Sequence, residues 1–141
     1  MGRVEAIHIA AEHEELPQPM ERVRVVAEQG IVGDRQGDRG DITLIEAEAL
    51  EELARDHGIE LSPAESRRQV LTRGIALNDL VGVRFRVGEV ECVGTELCEP
   101  CRHLEGLTQP GVIKGLVHRA GINADVLSDG EIATGDQVAR C

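Results

Sequence analysis

Tryptophan and tyrosine are absent from this chain, and Phe85 is its lone phenylalanine. The core must therefore be built from Val, Ile, Leu and Ala, and stacking platforms for bases or sugars are excluded. No apolar run approaches the ~20 residues that a membrane-spanning helix needs. Met1–Ala10 alternates in polarity and carries Arg3 and Glu5, so it lacks the apolar stretch of a secretory signal, and a cytoplasmic location is expected. Basic charge is scarce: 15 Lys and Arg face 26 Asp and Glu, a net of −11. That balance argues against nonspecific nucleic-acid binding and against an anionic membrane surface. A small anionic ligand held by a few local arginines remains compatible with it.

What is present is 141 residues with 41% hydrophobic content, and no internal repeat, low-complexity stretch or linker divides them. One domain over residues 1–141 is expected, burying roughly 68–70% of the surface of its unfolded chain. Short β-branched runs predict strands at 2–10 and 21–28, separated by a loop at Leu16–Pro19 that no helix would tolerate. Ile42–Ile45 reads as another strand. A helix is expected from Glu46 to His57, with Leu50, Leu53 and Ala54 at helical spacing and Gly58 as its stop. Ser62–Pro63–Ala64–Glu65 has the form of a capping box opening a short helical turn.

From Gln69 the pattern becomes β. Val83, Phe85 and Val87 alternate with Arg84 and Arg86, Gly88–Glu89 supplies a turn, and Val90–Gly94 returns. Short helices are expected at 101–107 and 111–118, around Pro110. Ile122–Leu127 and Ile132–Ala133 read as a hairpin turned by Asp129–Gly130, and Gly135–Asp136 leads into Gln137–Arg140. The sum is a mainly β, barrel-like domain with a few helices.

The four cysteines, Cys92, Cys98, Cys101 and Cys141, are expected to be reduced thiols in a chain without an export signal. Cys92 falls within a strand and reads as buried filler, and Cys141 as incidental. The reactive-looking segment is Leu97–Cys98–Glu99–Pro100–Cys101–Arg102–His103–Leu104. A thiolate is the active form of cysteine, and cations or a helix start beside Cys101 would favour it. The Cys-x-x-Cys spacing leaves three uses open: a zinc site, a dithiol redox pair of Cys98 and Cys101, or one working cysteine with an incidental neighbour. A second constellation is basic. Arg67, Arg68 and Arg73 flank Gln69–Thr72, and paired arginines at a strand start can clamp a phosphate or simply be solvated. Asp34 with Arg35 and Arg39 forms a third polar cluster, read as a structural turn. His118–Arg119 precedes Gly121 and reads either as added positive charge for a site or as plain surface.

Taken in order, these segments resemble the MOSC domain, named for the C-terminal domain of molybdenum-cofactor sulfurases. The marks are Gly30–Arg35, Ile42–Ile45, Ser66–Val70, Gly74–Gly82, Phe85–Gly88, Glu99–Leu104, Ala120–Leu127, Gly130–Ile132 and Gly135–Asp136. The resemblance implies a β-barrel-like fold and one functional cysteine, which falls on Cys101. It implies that Cys101 ligates the metal in members that bind molybdenum cofactor, or carries sulfur as a persulfide in the sulfurtransferase setting. It also implies a phosphate-holding role for Arg67 and Arg68, with Arg73 as a further candidate. Gln69 stands where many relatives have Asn. Reduction of N-hydroxylated compounds and sulfur transfer to metal centres are the two activities implied. Larger relatives add domains that complete the cofactor pocket, so this short form is expected to bind cofactor weakly, to need a partner such as a cofactor-carrying or sulfur-donor protein, or to dimerise. No lysine is placed like a Schiff-base site, and pyridoxal phosphate is not expected. The alternatives are a dithiol redox or metal-binding module using Cys98 and Cys101, or a noncatalytic adaptor.

Overall fold

The computed structural model describes residues 2–12, 15–34, 41–99, 105, 106, 108 and 110–141. Eleven strands are found among them: β1 (Gly2–Ile9), β2 (Gln18–Met20), β3 (Arg22–Val26), β4 (Gly30–Ile31), β5 (Ile42–Glu46), β6 (Val70–Arg73), β7 (Arg84–Val87), β8 (Val90–Leu97), β9 (Ile122–Val126), β10 (Gly130–Ala133) and β11 (Gln137–Arg140). Helix α1 spans Ala47–His57, α2 spans Val112–Leu116, and a 3-10 turn covers Leu77–Leu80.

Seven strands run in the order β11-β7-β8-β9-β5-β6-β1, and pairing of β1 with β11 closes them into a barrel. All neighbours are antiparallel except β5 and β6, which are joined by α1 as a crossover. Strand alternation sends Ile42, Leu44, Val70, Ile122 and Ala124 into the barrel. Phe85, fully buried, is the bulkiest group there. The smaller sheet, β10-β3-β4, adds Val23, Val25, Ile31 and Ile132 to the same core. On the outer face, Ile45 and Leu71 are covered by α1 and α2 through Leu50, Leu53, Val112 and Leu116.

The helix ends follow their local chemistry. Gly58 takes the left-handed conformation at φ 66° and donates its N–H to Ala54 O and Leu53 O. The capping box is formed, with Glu65 N–H donating to Ser62 Oγ at 3.2 Å and Ser62 N–H to Glu65 Oε1 at 2.9 Å. The Gly88–Glu89 turn is also as read, since Val87 and Val90 pair directly. The expected helix at 101–107 falls mostly outside the described residues.

Three expectations need correction. Ile122–Leu127 and Ile132–Ala133 do not form a hairpin: β9 pairs with β5 and β8, whereas β10 pairs with β3. Asp129–Gly130 is drawn away from a tight turn because Asp129 Oδ1 accepts from Ala27 N–H at 2.8 Å, and Ser128 Oγ accepts from Glu91 N–H at 2.9 Å. The Leu16–Pro19 loop ends in a strand, because an edge strand has an unpaired side on which proline sacrifices no ladder bond. Finally, β8 runs past Gly94 to Leu97 through a register shift between Gly94 and Glu96. Glycine suits that irregularity, since a Cβ there would strike the Leu80 carbonyl. The extension delivers Cys98 to the outer face.

Candidate functional site

Residues that alternate with the core positions point outward. Beyond the edge of the helical cover they form a polar row across the strands. Thr43 lies opposite Asn123, and Asn123 opposite Glu96. Gln69, at the start of β6, brackets the row: its Oε1 accepts from Thr43 N–H at 2.9 Å, and its N–H donates to Thr43 Oγ1 at 3.0 Å. Gln69 Nε2 donates to Asp34 Oδ2 at 2.6 Å, and Asp34 Oδ1 accepts from Ala10 N–H at 2.8 Å. The Gln69 amide and Asp34 therefore tie three segments together.

The turn at 118–121, leading into β9, is where the two predicted segments meet. Arg68 Nε donates to Ala120 O at 2.8 Å. Cys98 N–H donates to Gly121 O at 2.8 Å. Cys98 is 3% exposed, and its Sγ donates to Asn123 Oδ1 at 3.1 Å. Asn123 Nδ2 donates in turn to Glu96 Oε1 at 3.2 Å. On the far side of the turn, His118 Nδ1 lies 2.7 Å from Glu99 Oε2. Arg119 is held between Glu46 and Glu52, at 3.2 and 3.1 Å.

The predicted residues divide as follows. Cys101 lies outside the described residues, as do Arg102, His103, Arg35 and Arg39. Arg68 is half-buried, and among the described residues no carboxylate pairs with it. Arg67, beside it, has a left-handed backbone at φ 60°. Arg73 is set apart from both. It closes β6 at the other end, with its guanidinium 2.7 Å from Glu5 Oε1 and 2.7 Å from Glu51 Oε2. Hydrogen bonds to Glu51 and Glu5 hold it well above the ordinary arginine range. Cys92 is core filler as read, and burial, followed by the nearby Asp41, pushes its thiol up to about 12.

One residue carried no signal in the sequence. His8 lies next to Gln69 on β1, with its N–H donating to Gln69 O at 2.7 Å. It is buried, and its Nδ1 has no hydrogen-bond partner among the described residues. Burial lowers its pKa from the ordinary 6.5. The folded state thus refuses a proton that the unfolded chain accepts below about pH 6.5, so stability is full above that pH and declines as the pH falls towards the folded-state value. We expect the loss of Tm between about pH 7.5 and 5.5 to be smaller in His8→Gln than in the wild type. Equal losses in thermal melts would show that His8 does not titrate in this way.

The MOSC domain family model matches residues 34–139. Among solved structures, the YuaD protein from Bacillus subtilis is 20% identical with a TM-score of 0.83, over 98% of this chain and 94% of that one. YiiM from Geobacillus stearothermophilus is 16% identical with a TM-score of 0.81, over 100% of this chain and 75% of that one. YiiM from Escherichia coli is 16% identical with a TM-score of 0.73, over 99% of this chain and 69% of that one. At these identities the likeness is one of fold. A search of curated protein sequences gives no match.

Proposed function

Because the chain belongs to the MOSC domain family, we propose that it works through a thiolate at Cys101 beside an anion-binding turn, holding molybdenum cofactor or carrying sulfur as a persulfide. The reading is carried by the meeting of two sequence-distant segments at residues 118–121, Arg68 through Ala120 O and Cys98 through Gly121 O. Cys101 follows Cys98 by three residues, at most ~11 Å of chain.

The donor chemistry suits the cofactor. A half-buried guanidinium that meets no carboxylate among the described residues is a place for a phosphate, and Arg67 adds a second charge next to it in sequence. A thiolate is a soft ligand for a soft metal. When bound, the cofactor would supply the redox-active metal, while the protein supplies ligation and orientation. Arg73, already satisfied by Glu5 and Glu51, is assigned to stability rather than to the phosphate. The hydrogen bond from Cys98 to Asn123 favours one working thiol over a dithiol pair.

Elemental analysis of protein from a host that makes the cofactor tests the reading, with persulfide on Cys101 sought by mass spectrometry in the same preparation. Molybdenum or persulfide sulfur close to one per chain supports it. Neither would leave the noncatalytic adaptor, and stoichiometric zinc would favour the paired cysteines. Losing a charged hydrogen-bond donor costs ~1.5–3 kcal/mol. Arg68→Ala should therefore lower cofactor retention roughly 10-fold or more, and Arg73→Ala should leave it within about twofold. The reverse order, measured by metal content after dialysis, would move the phosphate site away from the 118–121 turn.

A further inference from the structure

Arg22, Arg55, Arg73, Arg84 and Arg119 each meet a carboxylate at 3.3 Å or less. Among the described residues Arg86 and Arg140 do not, although acidic groups outnumber basic ones 26 to 15. The strand register is the cause. Arg86 faces Glu91 across β7 and β8, but Glu91 turns its Oε1 to Arg84 at 3.3 Å. On its other side Arg86 faces Ala139 of β11, which has no group to offer it. Arg140 is in register with the buried Phe85, so it leaves β11 on the other face, at the strand's exposed end. Both side chains nevertheless line one hollow of about 450 Å³ between β7 and β11. The hollow exists because the groups that would fill it are short. Gly88 has no side chain, and Ala139, between Gln137 and Cys141 on the same face of β11, ends at Cβ. Gly88 N–H donates to Gln137 O at 2.8 Å, and the Asp136 carboxylate beside Gly88 accepts from Ala133 N–H through Oδ2 at 2.9 Å. Arg3, 60% exposed and in register with Gln137, adds positive charge from β1, with Glu5 no closer than 3.8 Å.

We propose that this hollow binds the phosphate group of a small phosphorylated molecule, held between Arg86 and Arg140. A guanidinium is always charged and presents a planar fork of donors. A carboxylate matches one such fork edge to edge, whereas a tetrahedral phosphate offers oxygens to two forks from different sides. Arg86 and Arg140 approach from different sides, because they leave opposite faces of the sheet. The walls carry no aromatic or branched aliphatic side chain, so the rest of the ligand is small and hydrophilic. The volume is that of a small-molecule site. The hollow is separate from the 118–121 turn, since β1 lies between β11 and β6, the strand that Arg68 precedes. It uses neither Arg68 nor the working thiol.

Inorganic pyrophosphate is the probe, titrated by calorimetry into the full chain carrying Arg68→Ala, so that the 118–121 turn contributes no anion site. One pyrophosphate per chain should bind. Arg86→Gln and Arg140→Gln, added singly, should each weaken binding by about 10-fold or more, as for loss of charged hydrogen bonds. Ala139→Leu keeps both charges and fills the hollow, and should weaken binding by about the same factor. Arg24→Gln, at an exposed arginine on β3, should leave it within about twofold. Cys141 gives a second readout, because it lines the hollow and is exposed. Saturating pyrophosphate should slow its alkylation by iodoacetamide at least about threefold, read by mass spectrometry of the peptide that carries it, and should not do so in Arg86→Gln. Citrate should bind about 10-fold more weakly than pyrophosphate, and equal binding would overturn the phosphate assignment. The site itself is overturned if pyrophosphate binds the wild type but not the Arg68→Ala chain, which would place the anion at the 118–121 turn. It is equally overturned if neither chain binds, if binding leaves Cys141 alkylation unchanged, or if Arg86→Gln and Arg140→Gln bind as tightly as their parent.

Discussion

Cys101→Ser is expected to lose all persulfide loading and nearly all bound molybdenum, while Cys98→Ser keeps both within about twofold. Serine cannot form a persulfide, and its hydroxyl is a hard, protonated oxygen where a soft anionic sulfur is required. Cys98 is different in kind. Its Sγ is buried and already donates to Asn123 Oδ1 at 3.1 Å. A serine hydroxyl can make the same bond, so the cost there is lost packing, about 1 kcal/mol. Cys92 will be silent to alkylation near neutral pH, because burial pushes its thiol up to about 12. Cys141 is exposed, so the comparison is cleanest in a Cys141→Ser background. Sulfur and metal counts on the single variants decide the matter. If Cys98→Ser were as damaging as Cys101→Ser, the lone-thiol reading would give way to the dithiol module.

Gly121→Ala should unfold at a temperature lower by roughly 10–15 °C, from a loss of about 3–5 kcal/mol. Gly121 sits at φ 96°, and a Cβ there would strike the Leu44 carbonyl oxygen and crowd Ile45 Cα at 3.2 Å. Both obstacles are backbone atoms in the parallel-paired strand β5, and neither can swing aside. The same substitution at Gly135 is the control. Gly135 has φ 91° but nothing within 4 Å of the added carbon. Gly135→Ala should cost only the conformational penalty, about 1–2 kcal/mol. The difference between the two melts isolates the close approach at the 118–121 turn. Gly121 O also accepts from Cys98 N–H. Gly121→Ala should therefore impair loading at Cys101 even at temperatures where the chain stays folded. Equal destabilisation by the two substitutions would show that the turn yields at no cost.

Much of the barrel is legible because its signals are local. The alternation around Phe85, the Gly88–Glu89 turn, the Ser62–Glu65 capping box and the Gly58 stop each act within a few residues. Asp129–Gly130 misleads because a distant donor, Ala27 N–H, claims the Asp129 carboxylate. The strand at Gln18–Met20 is hidden by prolines that only an edge position excuses.

The site is legible as segments and not as an assembly. Arg67, Arg68 and Arg73 look like one cluster in sequence. Yet extended chain carries Arg73 roughly 16 Å from Arg68, into the reach of Glu5 and Glu51. The pairing of Glu99 with His118 spans 19 positions and has no local signature. Gln69 reads only as a departure from the Asn of many relatives, and nothing local shows that its amide is taken up by Thr43 and Asp34.

The barrel closes through a pairing of Gly2 with Val138, its earliest strand against its latest. That contact encloses the longest loop the chain can form, and chain closure is the step whose entropy must be met before any contact rewards it. Every other pairing in the barrel can form while β1 and β7 still lack β11. The outward edges of those two strands are then exposed templates for another chain. Assembly of this fold is therefore a race between capture of β11 and encounter with a second open barrel. Dilution should favour the first outcome and crowding of unfinished chains the second.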